Sequence, residues 1–130
     1  MDTDYYSLSE IHQRLMEDKM TLNEYQKEAL KTLNKGLNER EVLIDGVMGM
    51  NGEAGECIDI VKKHLFQGHD FDRYAMIKEL GDVMWYLAVT AYAIDCDLEA
   101  IAKRNILKLR ERYPNGFEER ASINREEVRG

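Results

Sequence analysis

Residues 52–63 read GEAGECIDIVKK and residues 78–88 read KELGDVMWYLA. Both stretches place apolar residues at the three-and-four spacing of a helix. Each also carries two acids three residues apart, Glu53 and Glu56 in the first, Glu79 and Asp82 in the second. That spacing sets both carboxylates of a pair on one helical face, about a turn apart. Four carboxylates converging among core residues repel one another and lose hydration. A hard divalent cation relieves both costs, because Mg²⁺ takes oxygen ligands and Mn²⁺ can substitute for it. One acid-x-x-acid pair alone reads as a solvated stripe. Two pairs, each followed by an apolar run, point to a metal site, and metal held this way serves phosphates.

Working outward, Thr21-Leu22-Asn23-Glu24 has the form of a capping box. It opens a helix whose apolar side carries Leu22, Tyr25, Ala29 and Leu33, with Gly36 as the expected C-cap. A short helix over 8–18 precedes it. The pattern predicts a long helix over 41–66, open to a kink, with Ile44, Val47, Met48, Ala54, Cys57, Ile58, Val61 and Leu65 on its core side. A loop over 68–72 leads to a helix over 72–94 that Asp72 can cap. A last core helix over 98–112 is stopped by Pro114 and Gly116. No strand pattern or repeat occurs. The expected fold is all-α, a four-helix-bundle core. Residues 21–117 form the domain, 1–20 an N-terminal extension, and 118–130 a loose charged tail.

The 130 residues suffice for one compact domain. With 25 acidic against 18 basic residues the net charge is −7, which disfavours a nucleic-acid binder. An acidic chain can still hold an anionic nucleotide where metal and a few cations are focused in one cleft. Cys57 and Cys96 lack any ligand or disulfide spacing and read as reduced thiols, which suits a cytoplasmic protein. No apolar run reaches membrane-spanning length, and MDTDYYSLSE is not a signal peptide.

Gly52, Gly55 and Gly81 lie in or beside the acidic pairs, and helix-interior glycine costs on the order of 1 kcal/mol. The expectation is that two helix backbones approach closely there. Asn105, Lys108 and Arg112 overlap the apolar side of the last core helix. They read either as a satisfied core Asn with two rim cations or as the cations a triphosphate needs beside metal. Lys63, on the Glu56 face, is a further candidate. Trp85 and Tyr86 follow Asp82; aromatics there are usually core, though one could stack on a nucleobase. No Glu-x-x-His occurs, which excludes a ferritin-like di-iron site. No phosphate-binding glycine loop or nucleophile elbow is present.

Taken together, GEAGECIDIVKK, KELGDVMWYLA and NILKLRERYP resemble the MazG-type all-α nucleoside triphosphate pyrophosphohydrolases. That family has an ExxE motif, a spacer, an ExxD motif and a downstream Asn/Lys/Arg helix. Here 22 residues separate Glu56 from Glu79. Asn105 and Lys108 match the downstream polar positions, and Arg112-Tyr113-Pro114 matches the usual exit. NEYQKEALKT resembles the family's first helix. The likeness covers about residues 20–117 and resembles the single-domain members.

The resemblance implies Mg²⁺-dependent hydrolysis of a nucleoside triphosphate to monophosphate and pyrophosphate, in house-cleaning of nucleotide pools. Glu53, Glu56, Glu79 and Asp82 would bind metal, with Glu53 or Glu56 also the general base. Asn105, Lys108 and Arg112 would contact substrate, and Lys63, Trp85 and Tyr86 remain candidates from the residues themselves. A homodimer or homotetramer with sites near the subunit contact is implied. The alternative is a helical interaction module with a structural metal.

Overall fold

The computed structural model describes residues 7–124. Six helices follow in order: α1 Leu8–Glu17, α2 Leu22–Leu30, α3 Glu39–Phe66, α4 Arg73–Ala93, α5 Leu98–Arg112 and α6 Glu119–Ile123. No strand occurs among the described residues, so the all-α class is as expected.

Capping sets most of the boundaries. Ser7, Thr21, Asn38, Asp72 and Asp97 each offer a side-chain oxygen to the third backbone N–H of the helix that follows. The Asp72 and Asp97 carboxylates accept from Ala75 and Ala100 at 2.9 and 2.7 Å. Asn38 does the same for Glu41 at 2.9 Å, which starts α3 two residues before the expected position. Gly36 is not a C-cap. Helix α2 ends at Leu30, the Thr32 hydroxyl donates to the Ala29 carbonyl at 2.7 Å, and the Gly36 N–H donates to the Asn34 side chain at 2.9 Å. Side chains that bond the local backbone compete with the helix and end it early. At the other end of the chain, α6 occupies part of the segment expected to be a loose tail; residues 125–130 lie outside the described ones.

Helix α4 is the centre of the bundle, with α3 on one face and α2 on another, while α5 packs on α2. Small residues make the core: Ala29, Ala88, Ala91 and Leu98 are buried, with Tyr25, Trp85 and Ile101 packed against them. Val42 and Val89 are buried as well. The buried Gln26 amide ties three segments together. It donates to the carbonyls of Ala88 and Cys96 at 3.1 and 3.2 Å and accepts from the Leu98 N–H at 3.0 Å. Asn23 and Glu99 cap each other's helices, at 3.0 and 3.3 Å.

Helices α3 and α4 form an antiparallel pair. A Cβ on Gly46 would meet Thr90, including its backbone N at 3.1 Å, and a Cβ on Gly49 would collide with the Tyr86 ring. Those two glycines, spaced one turn apart, set the register of the pair. The expectation for Gly52, Gly55 and Gly81 is therefore corrected: a Cβ at each would meet nothing within 4 Å. The pair is closed at its tip, where His64 Nδ1 bonds the His69 carbonyl at 2.8 Å and the His64 ring sits edge-on to Phe71.

The apolar row expected to be the core side of α3 is largely solvent-facing in one chain. Met48 and Ile58 are each 69% exposed and Leu65 is 62% exposed, and Ile44, Val47 and Val61 are exposed too. The periodicity is real, but a single α4 can cover only one side of a 28-residue helix. No helix among the described residues is long and apolar enough to cross a membrane.

Candidate metal centre

The register set by Gly46 and Gly49 carries one turn further to Glu53. There the seam opens on Glu79 and Asp82. One carboxylate oxygen from each of Glu53, Glu79 and Asp82 lies within 4.8 Å of the others, and all three side chains are partly buried. The three expected ligands that the structure brings together thus come from both motifs.

The local electrostatics follow from that crowding. Burial pushes the Glu53 carboxyl above its ordinary range, and a hydrogen bond with Glu79 and the charges of Asp82, Glu79 and Glu56 push the same way. Two carboxyls share a hydrogen bond only when one keeps its proton. The ion pairs among the described residues join Lys31 to Glu28 and Lys62 and Lys63 to Asp59, and none reaches the cluster. No cation of the described chain offsets its charge.

Two tyrosines frame the carboxylates. Burial and then the Asp82 charge raise the Tyr25 hydroxyl. Burial and the charges of Asp45, Glu53 and Asp82 raise that of Tyr86. Sequence reasoning did not place Asp45 here. The available signal was the spacing of Asp45, Gly49 and Glu53, four residues apart and so on one side of α3.

The remaining expected residues divide. Glu56 is exposed and stands outside the triad, though close enough for its charge to act on Glu53. Lys63 is exposed and paired with Asp59 at 2.9 Å, which with the Glu56 charge holds its ammonium above the ordinary value. Trp85 does not stand free for a base. Its indole N–H donates to the Ala29 carbonyl and the Thr32 hydroxyl at 3.1 and 2.8 Å, holding α4 to α2. Tyr86, one residue on, meets Trp85 edge-on and faces α3 instead.

Asn105 lines a cavity of about 210 Å³ with Leu22, Met84, Leu87, Leu98, Ile101 and Ala102. At about 100° per residue, Met84 and Leu87 lie on the opposite side of α4 from Asp82. Asn105 therefore sits away from the carboxylates of its own chain. Lys108 and Arg112 follow it on α5, and no hydrogen bond or ion pair joins either to the cluster among the described residues. Among the described residues the buried Arg112 Nε meets no hydrogen-bond partner.

Residues 47–117 match the MazG nucleotide pyrophosphohydrolase domain. The chain belongs to that family. The "Gene 37 protein" of Mycobacterium phage L5 is 39% identical over 82 residues, which span 60% of this chain and 72% of that one. No solved structure matches. The matched segment of this MazG domain begins just before Gly49 and contains the whole triad.

The donor set suits the metal dependence of the MazG family. All three donors are carboxylate oxygens, hard ligands of the kind Mg²⁺ and Mn²⁺ take. The crowding also predicts how the metal-free protein responds to pH. A carboxyl whose folded pKa is raised opposes folding once ionised. Its penalty is absent below the ordinary value of 4.5 and grows as pH rises through the raised folded value. Glu53→Gln is therefore expected to raise the Tm of the metal-free protein at neutral pH and to change it little at pH below 4.5. Melting curves in chelator across that range check this. An equal shift at both ends would contradict it.

Proposed function

We propose that the protein hydrolyses a (deoxy)nucleoside triphosphate to the monophosphate and pyrophosphate in a Mg²⁺-dependent reaction, as part of nucleotide-pool house-cleaning. The observation that carries this is the convergence of Glu53, Glu79 and Asp82 across the α3–α4 seam of a MazG domain. Glu53, Glu79 and Asp82 would hold the ion, with Glu56 at the open edge. A divalent cation there supplies neutralisation of phosphate charge and a lowered pKa for water.

The chain's own groups divide the remaining work. Glu56, the exposed carboxylate outside the triad, would take the proton of the attacking water. Glu53, crowded by like charge, is suited to ligation instead. The Tyr25 and Tyr86 hydroxyls, kept protonated, can donate hydrogen bonds to the carboxylates or to a phosphate oxygen. Lys63 can meet the outer phosphates from the Glu56 side by exchanging Asp59 for them. A screen of canonical and modified nucleotides with Mg²⁺, reading pyrophosphate release, tests the assignment.

Asn105, Lys108 and Arg112 enter this scheme through assembly. Asn105 lies on the far side of α4 from the triad of its own chain, and no bond joins Lys108 or Arg112 to that triad among the described residues, so a second copy would supply them. The exposed apolar row of α3 offers the surface for that contact, since Ile44, Val47, Met48, Ile58 and Leu65 would otherwise face water. The expected state is a homodimer or homotetramer. Light scattering at low micromolar protein should give two or four times the 15.2 kDa chain mass. Monomer mass with full activity would contradict a shared site.

A further inference from the structure

Gly49 carries no ligating atom, yet it stands one turn from the carboxylate triad at a contact that admits no side chain. The α3–α4 seam is layered. Gly46 lies against Thr90, Gly49 against the Tyr86 ring, and Glu53 against Glu79 and Asp82. Successive layers are one turn apart, so Gly49 is about 6 Å from Glu53 along the axis of α3. A Cβ on Gly49 would collide with the Cδ1, Cε1 and Cζ atoms of Tyr86. Glycine inside a helix is less favourable than alanine. What it provides here is a bare strip of backbone on which the ring can lie.

The ring has little room to give way. Trp85 meets it edge-on, with ring centroids 4.9 Å apart. The Trp85 indole is itself fixed by the Ala29 carbonyl and the Thr32 hydroxyl, at 3.1 and 2.8 Å. A side chain at position 49 would therefore push α3 away from α4 rather than the ring toward α2. The triad takes Glu53 from α3 and Glu79 and Asp82 from α4, so the spread of its donors depends on that spacing. Mg²⁺ demands near-octahedral ligands at about 2.0–2.1 Å, and a working site tolerates departures of only about 0.2 Å. Widening the seam by even an ångström would therefore cost the site an ion.

We infer that Gly49 is a positioning residue for the metal: by letting the Tyr86 ring lie on the α3 backbone, it holds the two helices at the separation at which Glu53, Glu79 and Asp82 share one ion. The inference rests on the reading of those carboxylates as a metal site. It goes beyond that reading by naming the contact that sets their spacing.

Mn²⁺ titrated into the full chain without nucleotide, read by calorimetry, tests it. Gly49→Ala should weaken Mn²⁺ binding by about ten- to hundredfold, the usual effect of a residue that orients metal ligands from behind. The near-ultraviolet circular dichroism of Trp85, the one tryptophan of the chain, should change with it as the neighbouring ring shifts. In a Tyr86→Leu background the same substitution should change the affinity by less than about twofold, because residues that act through one contact are not additive. A lower Tm with wild-type Mn²⁺ affinity, or an equal loss of affinity in both backgrounds, overturns the inference. Should Gly49→Ala not fold, Tyr86→Leu alone decides: the seam then closes on a smaller side chain and affinity should fall, whereas wild-type affinity overturns the inference. Gly49-dependent Mn²⁺ binding without release of pyrophosphate from any nucleotide would keep the inference and remove the reaction. Absence of Mn²⁺ binding by the wild type would remove the metal reading and the inference with it.

Discussion

Asp82→Ala is expected to lower turnover by about 10³-fold or more, because an ion that stabilises phosphate charge contributes several kcal/mol to the barrier. Asp82 is one of three carboxylates held within 4.8 Å, and it is the one whose charge also acts on both framing tyrosines. It takes part in none of the ion pairs among the described residues. The variant should therefore keep its helices while losing the site. Circular dichroism and kcat at saturating Mg²⁺ and nucleotide give both readouts. Near wild-type turnover would show that the triad does not hold the ion. Glu56→Ala should also abolish turnover, and if Glu56 takes the water proton its loss should appear in kcat more than in KM.

The second large effect concerns stability. Gln26→Ala should cost about 2–4 kcal/mol, because it leaves the buried Leu98 N–H and the Cys96 carbonyl without their partner and removes the second bond to the Ala88 carbonyl. No other side chain links α2, the end of α4 and the start of α5 in this way among the described residues. Urea denaturation measures it. A loss of less than about 0.5 kcal/mol, the size of an ordinary surface substitution, would mean that water replaces the amide without penalty.

Helix boundaries were legible where a recognised capping side chain announced them, and α3, capped by Asn38, starts two residues before its expected position. Asp72 starts α4 as its position predicts, while the caps at Asn38 and Asp97 come from the structure alone. Gly36 misled because glycine is only one way to end a helix, and here the Thr32 and Asn34 side chains end it first. The two acidic motifs were legible as a pair, and three of their four acids meet. What could not be read was register. Which residue of α3 faces which residue of α4 depends on the close contacts at Gly46 and Gly49, and those depend on both helices at once. Asp45 became a neighbour of the site through that register, and Tyr25 through the packing of α2 on α4. Trp85 and Tyr86 show the same limit, since one residue, about 100° of helix, sends one aromatic to α2 and the other to α3. The apolar row of α3 was correctly periodic, but periodicity does not say whether its own chain or another covers it.

The products decide which bond is broken. With Mg²⁺ and a nucleoside triphosphate, the protein should release nucleoside monophosphate and pyrophosphate in equal amounts, and neither in chelator. Orthophosphate with a nucleoside diphosphate would contradict it, because the bond broken would then be the terminal anhydride.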